Sequence, residues 1–250
     1  MRYFVYFFLF CSGTVFAIDS QIYSAKAETE DNEITIAAAS LSHLVEKDQS
    51  GIYQKLFKRA ATQTGFETRE IFLPFRRALL EFEHKKVDCT YSFTEVLEEL
   101  LGRNAIISSF PLGAFSFHIF TRKSSPVINK LSQLANLNIG AINGQEHYYR
   151  DRLPPTLENK LKLLNTDKQG IEMLKLERLD AYIGALPDLN PHLASLNYDP
   201  EFVLFKSFDR ITCHNTPKNQ TFLNELSAAL QTLKEAGDYQ AIAGELYIDF

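Results

Sequence analysis

The chain contains no tryptophan, and its 250 residues hold only two methionines and three cysteines. No Cys-x-x-Cys pair is present, and the six histidines, at 43, 84, 118, 147, 192 and 214, show none of the spacings that place two imidazoles on one metal ion. Phosphate-cradling glycine loops, dinucleotide fingerprints and the Gly-x-Ser-x-Gly elbow are missing too. Glu146 beside His147 is an acid next to a base, but adjacent helical residues point apart. These absences favour a non-enzyme that uses no metal and no cofactor. There is also no excess of positive charge: 26 basic residues stand against 31 acidic ones, scattered along the chain. That balance argues against nucleic acid or an anionic membrane as partner.

Long apolar runs are confined to the N-terminus. Met1-Arg2 supplies a positive charge, Tyr3 to Phe10 is unbroken apolar sequence, and Val15-Phe16-Ala17 sets small residues before a cleavage point. Residues 1–17 therefore read as a secretory signal peptide cut after Ala17, with export to the periplasm. An uncleaved anchor is the alternative, against which stand the shortness of the run and its interruption at Ser12-Gly13-Thr14. Lipid attachment at Cys11 is disfavoured by Phe10, where a small residue is wanted. Cleavage removes one base and no acid, so the formal net charge of −5 becomes one unit more negative. Of the cysteines, Cys89 and Cys213 remain. In an exported chain they allow a disulfide, the alternative being two buried thiols in a domain large enough to need no staple.

What is present is a repeat. Leu80 to Tyr91 runs from a helix through His84-Lys85-Lys86-Val87-Asp88 into a short strand, and Met173 to Tyr182 does the same through Glu177-Arg178-Leu179-Asp180. Around the first copy lie strands at Ile34–Ala39, Phe66–Leu73, Val87–Ser92 and Ala105–Ile107. Between them come helices capped at Ser50, opened by Pro74 and capped at Thr94. Phe75, Ala78, Leu79 and Phe82 fall at i, i+3, i+4, i+7. Phe115–Phe120 then leads into a second series. It comprises a helix over Val127–Leu134, a strand over Leu137–Ile142, a helix over Gln145–Arg152, a strand over Leu161–Leu164, a helix over Asp167–Glu177 and a strand over Leu179–Gly184. Phe202–Phe205 and Arg210–Cys213 read as return strands, and helices near Phe222–Leu233 and Tyr239–Leu246 close the chain. Alternating strands and helices imply an α/β protein of two lobes, each a mostly parallel sheet flanked by helices. Lobe I is expected to comprise 18–112 plus 209–250 and lobe II 113–208, joined by a two-segment hinge near 112–115 and 205–209.

This order of elements resembles the periplasmic solute-binding proteins of the polar-amino-acid class that serve ABC importers, a type II periplasmic-binding-protein-like fold. The resemblance covers about residues 32–248. Ser50-Gly51-Ile52-Tyr53-Gln54-Lys55-Leu56 is similar to the family's first helix, and the two repeat units resemble its Gly-(basic)-hydrophobic-Asp-Ala units. Leu223-Asn224-Glu225-Leu226 through Leu233-Lys234-Glu235-Ala236-Gly237-Asp238-Tyr239 resembles its C-terminal signature, the most specific of the matches. The resemblance implies ligand-induced closure of a monomer over a small-molecule ligand, delivered to a membrane permease. Two departures bear on the ligand. Where the family has a carboxylate-gripping Arg this chain has Leu97, and where it has an ammonium-binding Asp this chain has Ala185. A plain zwitterion would thus lack both charged partners.

In such folds ligands sit beyond the carboxyl ends of the strands. That rule selects Ser40, Ser42 and His43 after the first strand, and Phe75 and Arg77 at the next helix start. Paired Arg76-Arg77 opposes the helix dipole unless an anion sits there, although pairing of one Arg with Glu81 explains it equally. The third strand adds Tyr91, Ser92, Phe93 and Thr94, whose other roles are packing and capping. The second lobe contributes Asn143, Gly144 and Gln145 as an anion seat of backbone N–H groups, with Tyr148 and Tyr182 as walls. Arg103 is the candidate replacement for the missing clamp. The expected function is capture of an amino acid or related carboxylated solute for import. The alternatives are a dehydratase-like periplasmic enzyme using Glu146 or Glu95, and a ligand-sensing module for a membrane signalling partner.

Overall fold

Strand β1 (Glu33–Ala39) turns Ile34, Ile36 and Ala38 into one apolar cluster and Ala37 and Ala39 into another, so both faces of the sheet it founds are covered. The computed structural model describes Met1 and residues 32–250 apart from Phe93 and Asn159; the signal peptide and its cleavage point lie outside the described residues. Helix α1 (Ile52–Ala61) follows, then β2 (Glu67–Leu73), α2 (Phe75–Glu83), β3 (Cys89–Tyr91), α3 (Thr94–Leu101) and β4 (Ile106–Ser108). The chain crosses into a second series: β5 (Gly113–Arg122), β6 (Ile139–Ile142), α4 (Pro155–Glu158), β7 (Lys162–Leu164), α5 (Asp167–Lys175), β8 (Ala181–Leu186), β9 (Leu196–Asn197) and β10 (Phe205–Asp209). It returns as β11 (Ile211–His214), α6 (Pro217–Glu235) and α7 (Asp238–Ala243).

The first sheet has the order β2-β1-β3-β11-β4 and the second β10-β5-β8-β6-β7, with β9 added at the end of β5. Read from its other edge, the second sheet matches the first place for place. In each main sheet one strand opposes all the rest: β11 in the first, β5 in the second. The two lobes are therefore built alike, and the expected mostly parallel sheets are mixed ones with a single reversed strand each.

The sequence repeat has a structural cause. Each helix ends with a residue of positive φ, Lys85 at 55° and Glu177 at 57°. The next N–H bonds back to close the helix, Lys86 N to Glu81 O and Arg178 N to Met173 O, both at 2.9 Å. The Asp then bonds the start of the neighbouring strand: Asp88 Oδ2 accepts from Thr35 N at 2.9 Å, and Asp180 Oδ2 from Asn138 N at 2.8 Å. Asp88 and Asp180 thus pin equivalent strand starts in the two lobes.

Several boundaries differ from the sequence expectation. Val127–Leu134 is helical only as a 3-10 turn over Leu131–Leu134, because Pro126 and Asn129 precede it and no intrahelical ladder forms. Gln145–Arg152 is two short 3-10 turns, Gln145–Tyr148 and Arg150–Arg152. The first helix is capped at Gly51, not Ser50: the N–H groups of Ile52 and Tyr53 donate to His43 O and Leu44 O, and a Cβ on Gly51 would lie 2.3 Å from Leu44 O. The segments expected near 112–115 and 205–209 lie side by side, as the first residues of β5 paired to β10, and the chain changes sheets next to them, between Ser108 and Gly113 and at Arg210.

The two crossings are bonded to each other: Arg210 Nη1 donates to Ser109 O at 2.7 Å, and Ile211 N to Ser109 Oγ at 3.0 Å. Cys89 and Cys213 lie opposite one another on β3 and β11 and are disulfide-bonded. The bridge fastens the returning chain to the sheet it left.

Candidate functional site

The carboxyl ends of the strands of both lobes converge on one buried crevice. Leu41, Leu44, Phe75 and Ser92 line it from the first lobe. Phe115, Phe117, Gln145, Tyr148, Ala185 and Asp188 line it from the second, and Asp209 stands at the end of β10, one residue before the crossing. Phe115 and Phe117 share a face of β5 by the period of two. Their rings meet Tyr148 at 5.4 and 5.5 Å. Phe75 comes from the start of α2, where Pro74 presets the backbone.

The crevice is closed by these side chains. Its volume is about 20 Å³, room for roughly one water molecule. The resemblance implied a space able to hold a small-molecule ligand. The aromatic rings and Leu41 and Leu44 fill that space instead, and one apolar cluster runs from Ala37, Leu79 and Leu97 in the first lobe to Phe115, Phe117 and Tyr148 in the second. The lobes touch closely at Gly144, where φ is +98° and an added Cβ would lie 3.0 Å from Phe75 Cδ1. Ser207 Oγ donates across the gap to Glu95 Oε1.

Two carboxylates are buried in this apolar setting. Asp209 is 6% exposed and accepts hydrogen bonds from Tyr53 Oη at 2.8 Å and from Ser92 Oγ. Burial pushes its carboxyl up to about 6, against those two bonds, which pull it down. Asp188 is 4% exposed. Burial, and then the nearby Asp167 and Asp209 carboxylates, hold it well above the usual carboxylate range. Among the described residues no basic side chain lines the crevice.

The structure brings Phe75, Ser92, Gln145 and Tyr148 from the sequence candidates into the lining. The others lie elsewhere. Ser40 and His43 are exposed, and neither they nor Ser42 line the crevice; the turn after β1 directs Leu41 and Leu44 inward instead. Arg77 is exposed and paired to Glu81 Oε1 at 2.7 Å, the i,i+4 arrangement, so it faces solvent. Arg103 has an 85% exposed side chain paired to Glu98 at 3.3 Å and is no clamp. Tyr91 points to the opposite face of its sheet, donating to Glu70 Oε1 at 2.5 Å and packing on Phe57. Tyr182 is core in the second lobe, donating to Asp167 Oδ1 at 2.7 Å. Thr94 is buried against Thr212, with 2.7 Å between their hydroxyls. Phe93 lies outside the described residues. Asn143 does not line the crevice, and the expected anion seat is already used: Gly144 N–H donates to Glu146 Oε2 at 2.5 Å.

Sequence reasoning missed Asp188 and Asp209. The signal for Asp209 was its place beside the expected hinge. For Asp188 it was an acid three residues beyond Ala185, in line with the position where the resembled family keeps one.

The fold is that of the two-lobed type II periplasmic binding proteins. The GluR0 ligand-binding core from Nostoc punctiforme, solved with L-glutamate, matches with a TM-score of 0.68 at 19% identity, over 86% of this chain and 99% of that one. The ancestral amino acid-binding protein AncCDT-1, a precursor of cyclohexadienyl dehydratase, matches at 0.67 and 14%, over 90% and 99%. A histidine kinase sensor domain with similarity to periplasmic binding proteins matches at 0.66 and 16%, over 86% and 95%. No family model and no curated protein matches the sequence. Among the described residues no helix is long and apolar enough to cross a membrane, and no cluster of His, Cys, Asp and Glu is arranged to hold a metal ion.

Proposed function

We propose that this chain is an exported solute-binding protein that closes its two lobes over a small polar molecule. The observation that carries the reading is the convergence of side chains from both lobes on one buried crevice beside two adjacent crossings. Few backbone angles lie between the lobes, so they separate and rejoin at low cost. Because the closed crevice holds about 20 Å³, a solute enters only from a more open form, and the aromatic walls shift to receive it. Of the neighbours in fold, one was solved with L-glutamate and another is an amino acid-binding protein, which supports a small polar ligand. We further assign the chain to the periplasm after cleavage at Ala17, as a monomer whose closed form is read by an ABC-type permease.

Binding is favoured over turnover by the acids themselves. Glu95 is held by Ser207 and Glu146 by the Gly144 N–H, and neither lines the crevice. A thermal-shift screen with amino acids, amines, organic acids and short peptides tests the reading. A rise in Tm with at least one class supports it, and flat melting curves throughout contradict it.

A further inference from the structure

The solute-binding reading leaves the chemical class of the solute open, and the charge inventory of the crevice narrows it. We infer that the site takes an organic amine carrying no carboxylate, with Asp188 receiving its ammonium group and Asp209 giving the second negative wall. The inference rests on the proposed solute-binding function.

Asp188 carries the argument. Its side chain is buried among Phe75, Phe115, Phe117 and Ala185 and faces the crevice. Among the described residues no ion pair and no hydrogen bond from another residue reaches its carboxylate; its own backbone N–H is the donor beside it, and the charges that bear on it, Asp167, Asp209 and Glu46, are all negative. A buried carboxylate with no counter-ion, and with only its own backbone N–H as donor, is destabilised until a cation arrives or a proton is taken up. An ammonium group supplies both charge and donors.

The same inventory disfavours a carboxylate on the ligand. Arg77 and Arg103 are spent on Glu81 and Glu98 at the surface. The Gly144 N–H is bonded to Glu146, and the Ser92 hydroxyl is given to Asp209. Of the lining side chains the Gln145 amide and the Tyr148 hydroxyl carry donors that could meet an anion, but neither is charged and the crevice already holds two acids. The aromatic faces of Phe75, Phe115, Phe117 and Tyr148 suit an ammonium group and the hydrocarbon chain it carries.

The test is titration calorimetry at neutral pH with three matched pairs: lysine and cadaverine, arginine and agmatine, phenylalanine and phenethylamine. The expected result is that at least one amine binds about tenfold or more tightly than its amino acid. Asp188→Asn should weaken that amine about tenfold or more while leaving Tm equal or higher, since it removes a buried charge. Asp209→Asn serves as a second variant with the same expected loss. Glu99→Gln, the same charge change on an exposed helix position, should leave affinity unchanged. An amino acid binding as tightly as its amine, or Asp188→Asn and Asp209→Asn both binding the amine at wild-type affinity, overturns the inference and leaves the solute-binding reading standing. No binding by either class in any pair, together with a flat thermal-shift screen, overturns both.

Discussion

Tyr53 of α1 donates its hydroxyl proton to Asp209 Oδ2 at 2.8 Å, joining the first lobe to the last strand of the second one residue before the chain changes sheets. Both groups are buried, and the bond lies at the crevice wall. Burial leaves Asp209 with a folded-state value of about 6 against an ordinary 3.8. A carboxyl raised on folding contributes its stability fully below the unfolded value and loses it as pH rises through the folded value. The window here is about pH 4 to 6. Asp209→Asn should therefore gain stability relative to wild type on the order of 2–3 kcal/mol more at neutral pH than near pH 4. Urea unfolding of both proteins at the two pH values measures it. Removing the Asp209 charge also relieves Asp188, which that carboxylate helps to hold up, and this adds to the difference in the same direction. An equal difference at both pH values would contradict the assignment.

The Cys89–Cys213 bridge spans a sequence separation of 124 residues and ties β3 to β11. By the loop-closure argument it contributes about 4–5 kcal/mol. Urea unfolding with and without reductant should show a loss of that order, as should the Cys89→Ala, Cys213→Ala double variant. A midpoint unmoved by reduction would mean the bridge does not form in solution.

Gly144 combines a left-handed backbone with contact across the crevice. Gly144→Ala adds a methyl group about where Phe75 already sits and strains φ at +98°. The backbone part costs on the order of 1 kcal/mol wherever the lobes are. The clash with Phe75 exists only in the closed form. The variant should therefore weaken ligand binding beyond its loss of stability. Measured Tm and affinity falling in proportion would contradict a closure role.

Arg77 and Arg103 were the basic candidates for gripping a ligand, and both face solvent. Arg77→Ala and Arg103→Ala should each change stability by less than about 1 kcal/mol, as exposed ion pairs do. Neither should alter affinity for whichever solute shifts the melting curve. A loss of affinity in either variant would return that arginine to the site.

Much of the fold was legible because hydrophobic periodicity and helix-end chemistry are local signals. Ile34, Ile36 and Ala38 alternate into a core, Phe75 to Phe82 repeats at helical spacing, and the Asp88 and Asp180 units mark equivalent strand starts. The site was less legible because it is assembled by tertiary packing. After β1 the rule of strand ends pointed to the correct turn, but sequence could not say that Leu41 and Leu44 face inward while Ser40 and His43 face out. The i,i+4 pairing of Arg77 with Glu81 was visible as an alternative, and the structure selects it. Asp188 and Asp209 carry no motif of their own. Their burial depends on the two lobes meeting, which no single stretch of sequence records.

Closure over a solute is most directly tested by small-angle X-ray scattering of the purified protein, alone and with a compound that raises its Tm. The free protein should have a radius of gyration larger than that of the closed structure, contracting to the closed value when the compound is added. A radius already equal to the closed value and unchanged by the compound would contradict it.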